Sequence, residues 1–156
     1  MSRDVLVDND MYKQLTNHAG WSEKQMQDHI VANINEFVRD VLDDHYIDHK
    51  VEWGIDQQLR MSPRGRRVDL IIKGKLYTYY CELKSPQSLT ENRFGIGQLL
   101  DYGREFSDPQ KRLLLITSKF DINTALTIDH YKLPITYIYL AKHGALVYKK
   151  AVLRHG

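Results

Sequence analysis

Asp69, Glu82 and Lys84 stand inside two short apolar runs, V-D-L-I-I-K and L-Y-T-Y-Y-C-E-L-K, with a Lys-Gly-Lys turn between them. Two carboxylates brought close to one point repel each other, and burial raises that penalty unless a cation lies between them. Hard oxygen donors favour Mg²⁺ or Mn²⁺, ions that keep several waters and share a phosphate. A lysine on the same face suits a phosphate or an attacking water. The chemistry these types can do together is hydrolysis of a phosphodiester. Taken alone, Glu82-Leu83-Lys84 reads as the solvated face of a strand, since alternating polar residues are common there. Its weight comes from what surrounds it.

The flanking runs read as a β-hairpin. A two-residue bend with glycine first, Gly74-Lys75, is the type II′ signature. It pairs Lys73 with Leu76 and sets Asp69 opposite Tyr80. Because strand side chains alternate, Asp69 then shares a face with Tyr80, Glu82 and Lys84, and Glu82 is its diagonal neighbour at about 7–8 Å between α-carbons. The other face collects Val68, Leu70, Ile72, Tyr77, Tyr79, Cys81 and Leu83, an apolar set suited to a core. A slip of one residue would reverse Asp69.

Other elements must carry this hairpin. From Ser22, an N-cap residue, S-E-K-Q-M-Q-D-H-I-V-A-N-I-N-E-F-V-R-D-V-L has apolar residues at Met26, Ile30, Ile34, Phe37 and Val41, which predicts one amphipathic helix. V-E-W-G-I-D-Q-Q-L reads as a strand and R-M-S-P-R-G-R-R as a basic turn. Thr90 caps a second helix that Ser107-Asp108-Pro109 stops. R-L-L-L-I-T-S holds a continuous apolar run of strand length, as expected of a strand covered on both faces. D-I-N-T-A-L-T-I-D-H-Y is helical up to the break at Leu133-Pro134. I-T-Y-I-Y-L-A and A-L-V-Y-K-K-A-V, around Lys142-His143-Gly144, form a last strand pair. The order α-β-β-β-α-β-α-β-β implies an α/β or α+β fold, a mixed sheet flanked by helices.

Asp69, thirteen residues before the E-L-K of Glu82-Leu83-Lys84, resembles the PD-(D/E)XK nuclease superfamily. Gly97-Gln98-Leu99-Leu100-Asp101-Tyr102 on the next helix is similar to the Q-x-x-x-Y motif of its RecB-like branch. Glutamine and tyrosine four apart lie on one helical face and can address one site. The resemblance covers residues 22–118 as a nuclease core, leaves 1–20 as an N-terminal extension, and implies a restriction-endonuclease-like sheet. It implies Asp69, Glu82 and the main-chain carbonyl of Leu83 as metal ligands for Mg²⁺ or Mn²⁺, Lys84 as the catalytic lysine, and Gln98, supported by Tyr102, as an orienting residue. Val68 stands where the family name has proline. Many members add a glutamate on the first helix. Here Glu23 is in line with the apolar stripe and Glu36 is on the opposite face, so Glu23 is the candidate; a first-turn acid favouring the positive helix end is the equal alternative.

The bulk numbers bound the rest. A chain of 156 residues, 42% hydrophobic and 27% charged, suits a single domain across 1–156. No run approaches a membrane span and M-S-R-D-V-L-V-D-N-D is unlike a secretory signal, so a cytoplasmic protein with no membrane partner is expected. One cysteine, Cys81, excludes an intrachain disulfide and a cysteine-rich zinc site. With a formal charge of only +2, a polyanion must be held by local clusters. Arg60, Arg64, Arg66 and Arg67, entering the Asp69 strand, suit a DNA backbone. Lys149, Lys150, Arg154 and His155 read as a solvated tail, and D-D-H-Y-I-D-H, with His45 and His49, as a polar helix end rather than a metal site. Tyr77, Tyr79, Tyr137 and Tyr139 are assigned to core. The expectation is a Mg²⁺-dependent deoxyribonuclease, an endonuclease acting on DNA, with a homodimer as a compatible assembly. Its rivals are an RNA-processing enzyme of the same fold, a nucleic-acid-binding module without turnover, and a structural subunit.

Overall fold

The computed structural model describes residues 21–54, 67–85, 89–141 and 144–147. Ser22 does cap the first helix: its side chain accepts from the Gln25 amide while the Gln25 side chain accepts from the Ser22 amide, a reciprocal capping box. The expected single helix is broken, however. Helix α1 (Glu23–Ala32) ends at Asn33, a one-turn α-helix spans Ile34–Glu36, and a π-helical turn covers Phe37–Val41. The break keeps the stripe inward, because Met26, Ile30, Ile34, Phe37 and Val38 are all buried.

The strands β1 (Tyr46–Gly54), β2 (Arg67–Gly74), β3 (Thr78–Lys84), β4 (Lys111–Thr117), β5 (Ile135–Ala141) and β6 (Gly144–Val147) form one sheet in sequential order. Strand β2 runs antiparallel to both β1 and β3; β3, β4 and β5 run parallel, and β6 returns antiparallel to β5. Helix α2 (Leu89–Glu105) makes the crossover from β3 to β4 and helix α3 (Ile122–His130) that from β4 to β5. Two crossovers of the same hand advancing in one direction lay both helices on one face. The core divides accordingly. Ile96, Leu99, Tyr102, Phe106, Ala125 and Ile128 pack with Leu113 and Leu115, while Met26, Ile30, Ile34 and Phe37 pack with Leu114 and Ile116. The apolar run of β4 is therefore covered on both faces, and Tyr137 and Tyr139 are core as expected. No helix among the described residues is long and apolar enough to cross a membrane.

The hairpin differs from the expected register. The pairs Leu70↔Cys81, Ile71↔Tyr80, Ile72↔Tyr79 and Lys73↔Thr78 place the bend at Lys75-Leu76, with Gly74 and Tyr77 flanking it. The register is displaced by two residues, so the position opposite Asp69 is that of Glu82, not Tyr80. The cause lies outside the hairpin. Asp43 takes φ 55°, a left-handed turn that aspartate tolerates, and delivers the buried Asp44 to the bend. There Asp44 accepts from the amides of His45, Leu76 and Tyr77 and from the Tyr79 hydroxyl. Burial alone would raise its pKa, but these donors more than offset that and hold it below the usual carboxylate value. A side chain at position 74 would run into this carboxylate, which is why glycine serves there. The segment read as a polar helix end is thus a helix-to-strand junction, with His49 on β1. Tyr79 is core, whereas Tyr77 is only half-buried, with the Arg112 guanidinium 3.8 Å over its ring.

Candidate active site

The β2–β3 ladder stops at Leu70↔Cys81. In a regular ladder of this register the Leu83 amide would donate to the Val68 carbonyl. Instead the Leu83 amide donates to Asp69 Oδ2 at 2.9 Å, so a side chain takes over from the backbone. The carbonyl of Asp69 is also held by a side chain, accepting from Gln27 Nε2 at 2.8 Å. The strands part here, and Asp69, half-buried, turns toward the residue between Glu82 and Lys84.

Glu82 is 2% exposed, and both of its carboxylate oxygens are engaged. The Tyr102 hydroxyl, itself buried, donates to Oε1 at 3.0 Å, and Lys84 Nζ lies 3.3 Å from Oε2. Helix α2 makes this fit. A Cβ on Gly95 would come within 2.9 Å of Leu115 Cδ1 and 3.2 Å of Lys84 Cγ, so the missing side chain lets the lysine stem lie against the helix. Gln98, three residues after Gly95 and four before Tyr102, falls on the same helical face. Its Oε1 is buried and has no hydrogen-bond partner among the described residues.

Glu23, in the first turn of α1, feels both Lys84 and Asp69 electrostatically. Its pKa is raised by partial desolvation, with Lys84 opposing and Asp69 adding to the shift. The structure thus supports both readings of Glu23, as a first-turn acid and as a neighbour of the cluster. Glu82 is pushed up to about 8 by burial first and then by Asp69, with Lys84 and Tyr102 pulling the other way. The Cys81 thiol, fully buried, is raised by desolvation and then by Asp69 and Glu82, which makes it inert.

Among the described residues, no group of three or more His, Cys, Asp or Glu side chains is arranged to hold a metal ion. The donors that remain are Asp69, Glu82 and the Leu83 carbonyl. Two carboxylates and a carbonyl fit a hard divalent cation that keeps most of its waters. The strained ionisation of Glu82 fits as well, since a nearby cation relieves it, and the Lys84 ammonium occupies one of its oxygens already.

Asp69, Glu82, Lys84, Tyr102 and Glu23 converge, with Gln98 on the helix face between the last turns that touch Lys84 and Glu82. Arg60, Arg64 and Arg66 lie outside the described residues, as do Lys149, Lys150, Arg154 and His155. Arg67 is described only as the first residue of β2. Two residues of the site escaped the sequence reading. Gly95 carries one local signal, its place three residues before Gln98 on the same helix. Gln27 had one signal, its spacing of four from Glu23 on the same helix face. No family model, no characterised protein and no solved structure matches the chain.

Proposed function

We propose that this protein is a divalent-metal-dependent deoxyribonuclease, an endonuclease of PD-(D/E)XK type on a restriction-endonuclease-like sheet. The observation that carries this reading is Glu82: a buried carboxylate gripped by Tyr102 and Lys84, beside Asp69, where two strands part. Such a constellation is expensive to build and has an evident use. Asp69, Glu82 and the Leu83 carbonyl would hold Mg²⁺ or Mn²⁺, which supplies a Lewis acid that acidifies water and screens the phosphate. Tyr102 fixes the rotamer of Glu82. Lys84, on releasing Glu82 Oε2, carries its ammonium to the scissile phosphate and stabilises the charge that builds on its oxygens. Gln98, on the helix face that also carries Gly95 and Tyr102, offers a buried acceptor with no partner among the described residues, suited to orienting the lysine or the attacking water.

The test offers single- and double-stranded DNA and RNA side by side, in Mg²⁺, in Mn²⁺ and in chelator, to the wild type and to Lys84→Ala. DNA cleavage that needs the metal and falls on the order of 10²-fold or more in the variant is expected. Cleavage of RNA alone would make it an RNA-processing enzyme, and binding without cleavage a recognition module. Equal cutting by both proteins refutes the role given to Lys84.

A further inference from the structure

We infer that Gln27 is a positioning residue for the metal-binding carboxylates, one that ties helix α1 to the parted end of β2. This rests on the nuclease reading above. Gln27 belongs to a helix whose neighbouring Met26 and Ile30 are fully buried in the α1-side core. Gln27 is itself buried, at 7% exposure, although glutamine is seldom found inside. Its amide does not pair within the helix or at a cap. It reaches 42 residues along the chain, to the carbonyl of Asp69, at 2.8 Å.

The geometry gives this bond a specific consequence. Asp69 lies just beyond the last β2–β3 pair, so that ladder does not extend to it. Its backbone is held by Gln27, and its carboxylate by the Leu83 amide. β1 still pairs with Val68 and Leu70 on either side of Asp69, so losing the Gln27 bond loosens the Asp69 peptide without detaching it, while Glu82, buried and held by Tyr102, stays in place. Glu23 is one helical turn before Gln27 on the same face, so the same bond sets the distance of Glu23 from Asp69 and Lys84, the two groups whose charges it feels. Gln27 touches no reacting atom. It acts through Asp69 and through the docking of α1, as outer-shell partners of metal ligands do.

The test measures Mn²⁺ binding by calorimetry, without nucleic acid, for the wild type, Gln27→Met and Gln27→Glu, with thermal unfolding of each. Methionine keeps the length and apolar stem but donates nothing, and glutamate keeps the shape but turns an acceptor toward an acceptor. Both are expected to weaken Mn²⁺ binding by about 10–100-fold in folded protein, and to raise the half-saturating metal concentration for cleavage in parallel. A merely structural glutamine would lower the melting temperature and leave the affinity of the folded protein unchanged; that result overturns the inference. A wild type that binds no Mn²⁺ overturns the nuclease reading itself, which separates the two failures. Where both variants fail to fold, the wild type decides: the side-chain amide resonance of Gln27 is expected to shift on Mg²⁺ titration with the affinity found for the ion, and a resonance that stays still overturns the proposal.

Discussion

The protonation of Glu82 gives a prediction that can be worked through in free energy. Folding moves this carboxyl from its ordinary 4.5 to about 8, because burial and the neighbouring Asp69 outweigh Lys84 and Tyr102. Between those two values the folded protein keeps a proton that the unfolded chain has lost. The slope of stability with pH follows the excess of protons bound by the unfolded state, which here is negative, so stability falls as pH rises from about 4.5 through 8. At about 1.4 kcal/mol per pH unit, the interval between these two values sets a ceiling of about 5 kcal/mol. Relaxation of the site and entry of water reduce this to on the order of 2–3 kcal/mol. Urea unfolding in chelator, from pH 5 to pH 8.5, should show wild type losing that amount relative to Glu82→Gln, which cannot titrate. The comparison cancels groups such as Asp44, whose lowered pKa acts in the opposite sense and lower on the scale. Mg²⁺ at saturating concentration should flatten the wild-type curve. A difference between the two proteins that stays constant across the range would refute the argument that Glu82 is buried in an unfavourable charge environment.

Tyr102→Phe removes the 3.0 Å hydroxyl bond to Glu82, and should cost about 1–2 kcal/mol in urea melts while moving the Glu82 transition further alkaline; a variant unchanged in both would show that the hydroxyl is not engaged. Asp44→Ala deprives the amides of His45, Leu76 and Tyr77 and the Tyr79 hydroxyl of their common acceptor. It should cost on the order of 3 kcal/mol and slow metal-dependent cleavage through a loosened hairpin; an effect below ~1 kcal/mol would mean the bend holds its register without it.

The amphipathic stripe from Met26 to Phe37, the apolar run 113–116 of β4 and the last two strands were legible because each is a local pattern that packing satisfies. The interruption of the first helix was not, since nothing in the residues around Asn33 marks a π turn. Thr90 proved to be the second residue of α2 rather than its cap. The bend was misplaced by one position on each strand because its best local signal, a glycine, serves a contact with Asp44 instead of a turn conformation.

The mixed α and β character, and which apolar runs become strands, were decided by the sequence alone, though the interruption of the first helix was not. Side chains on a strand alternate with a period of two, so a displacement of two residues changes partners and keeps Leu70, Ile72, Tyr79, Cys81 and Leu83 together, but Val68, expected with them, packs instead with Tyr80 and Tyr102. Only the tertiary structure decided which residues hold Asp69, Glu82 and Lys84 in place. Asp44 comes to the bend from the end of a helix, Gln27 reaches Asp69 from another layer, and Gly95 makes room for a lysine on a neighbouring strand. A hydrogen bond between residues 42 apart leaves no local pattern, because its geometry exists only after the layers have packed.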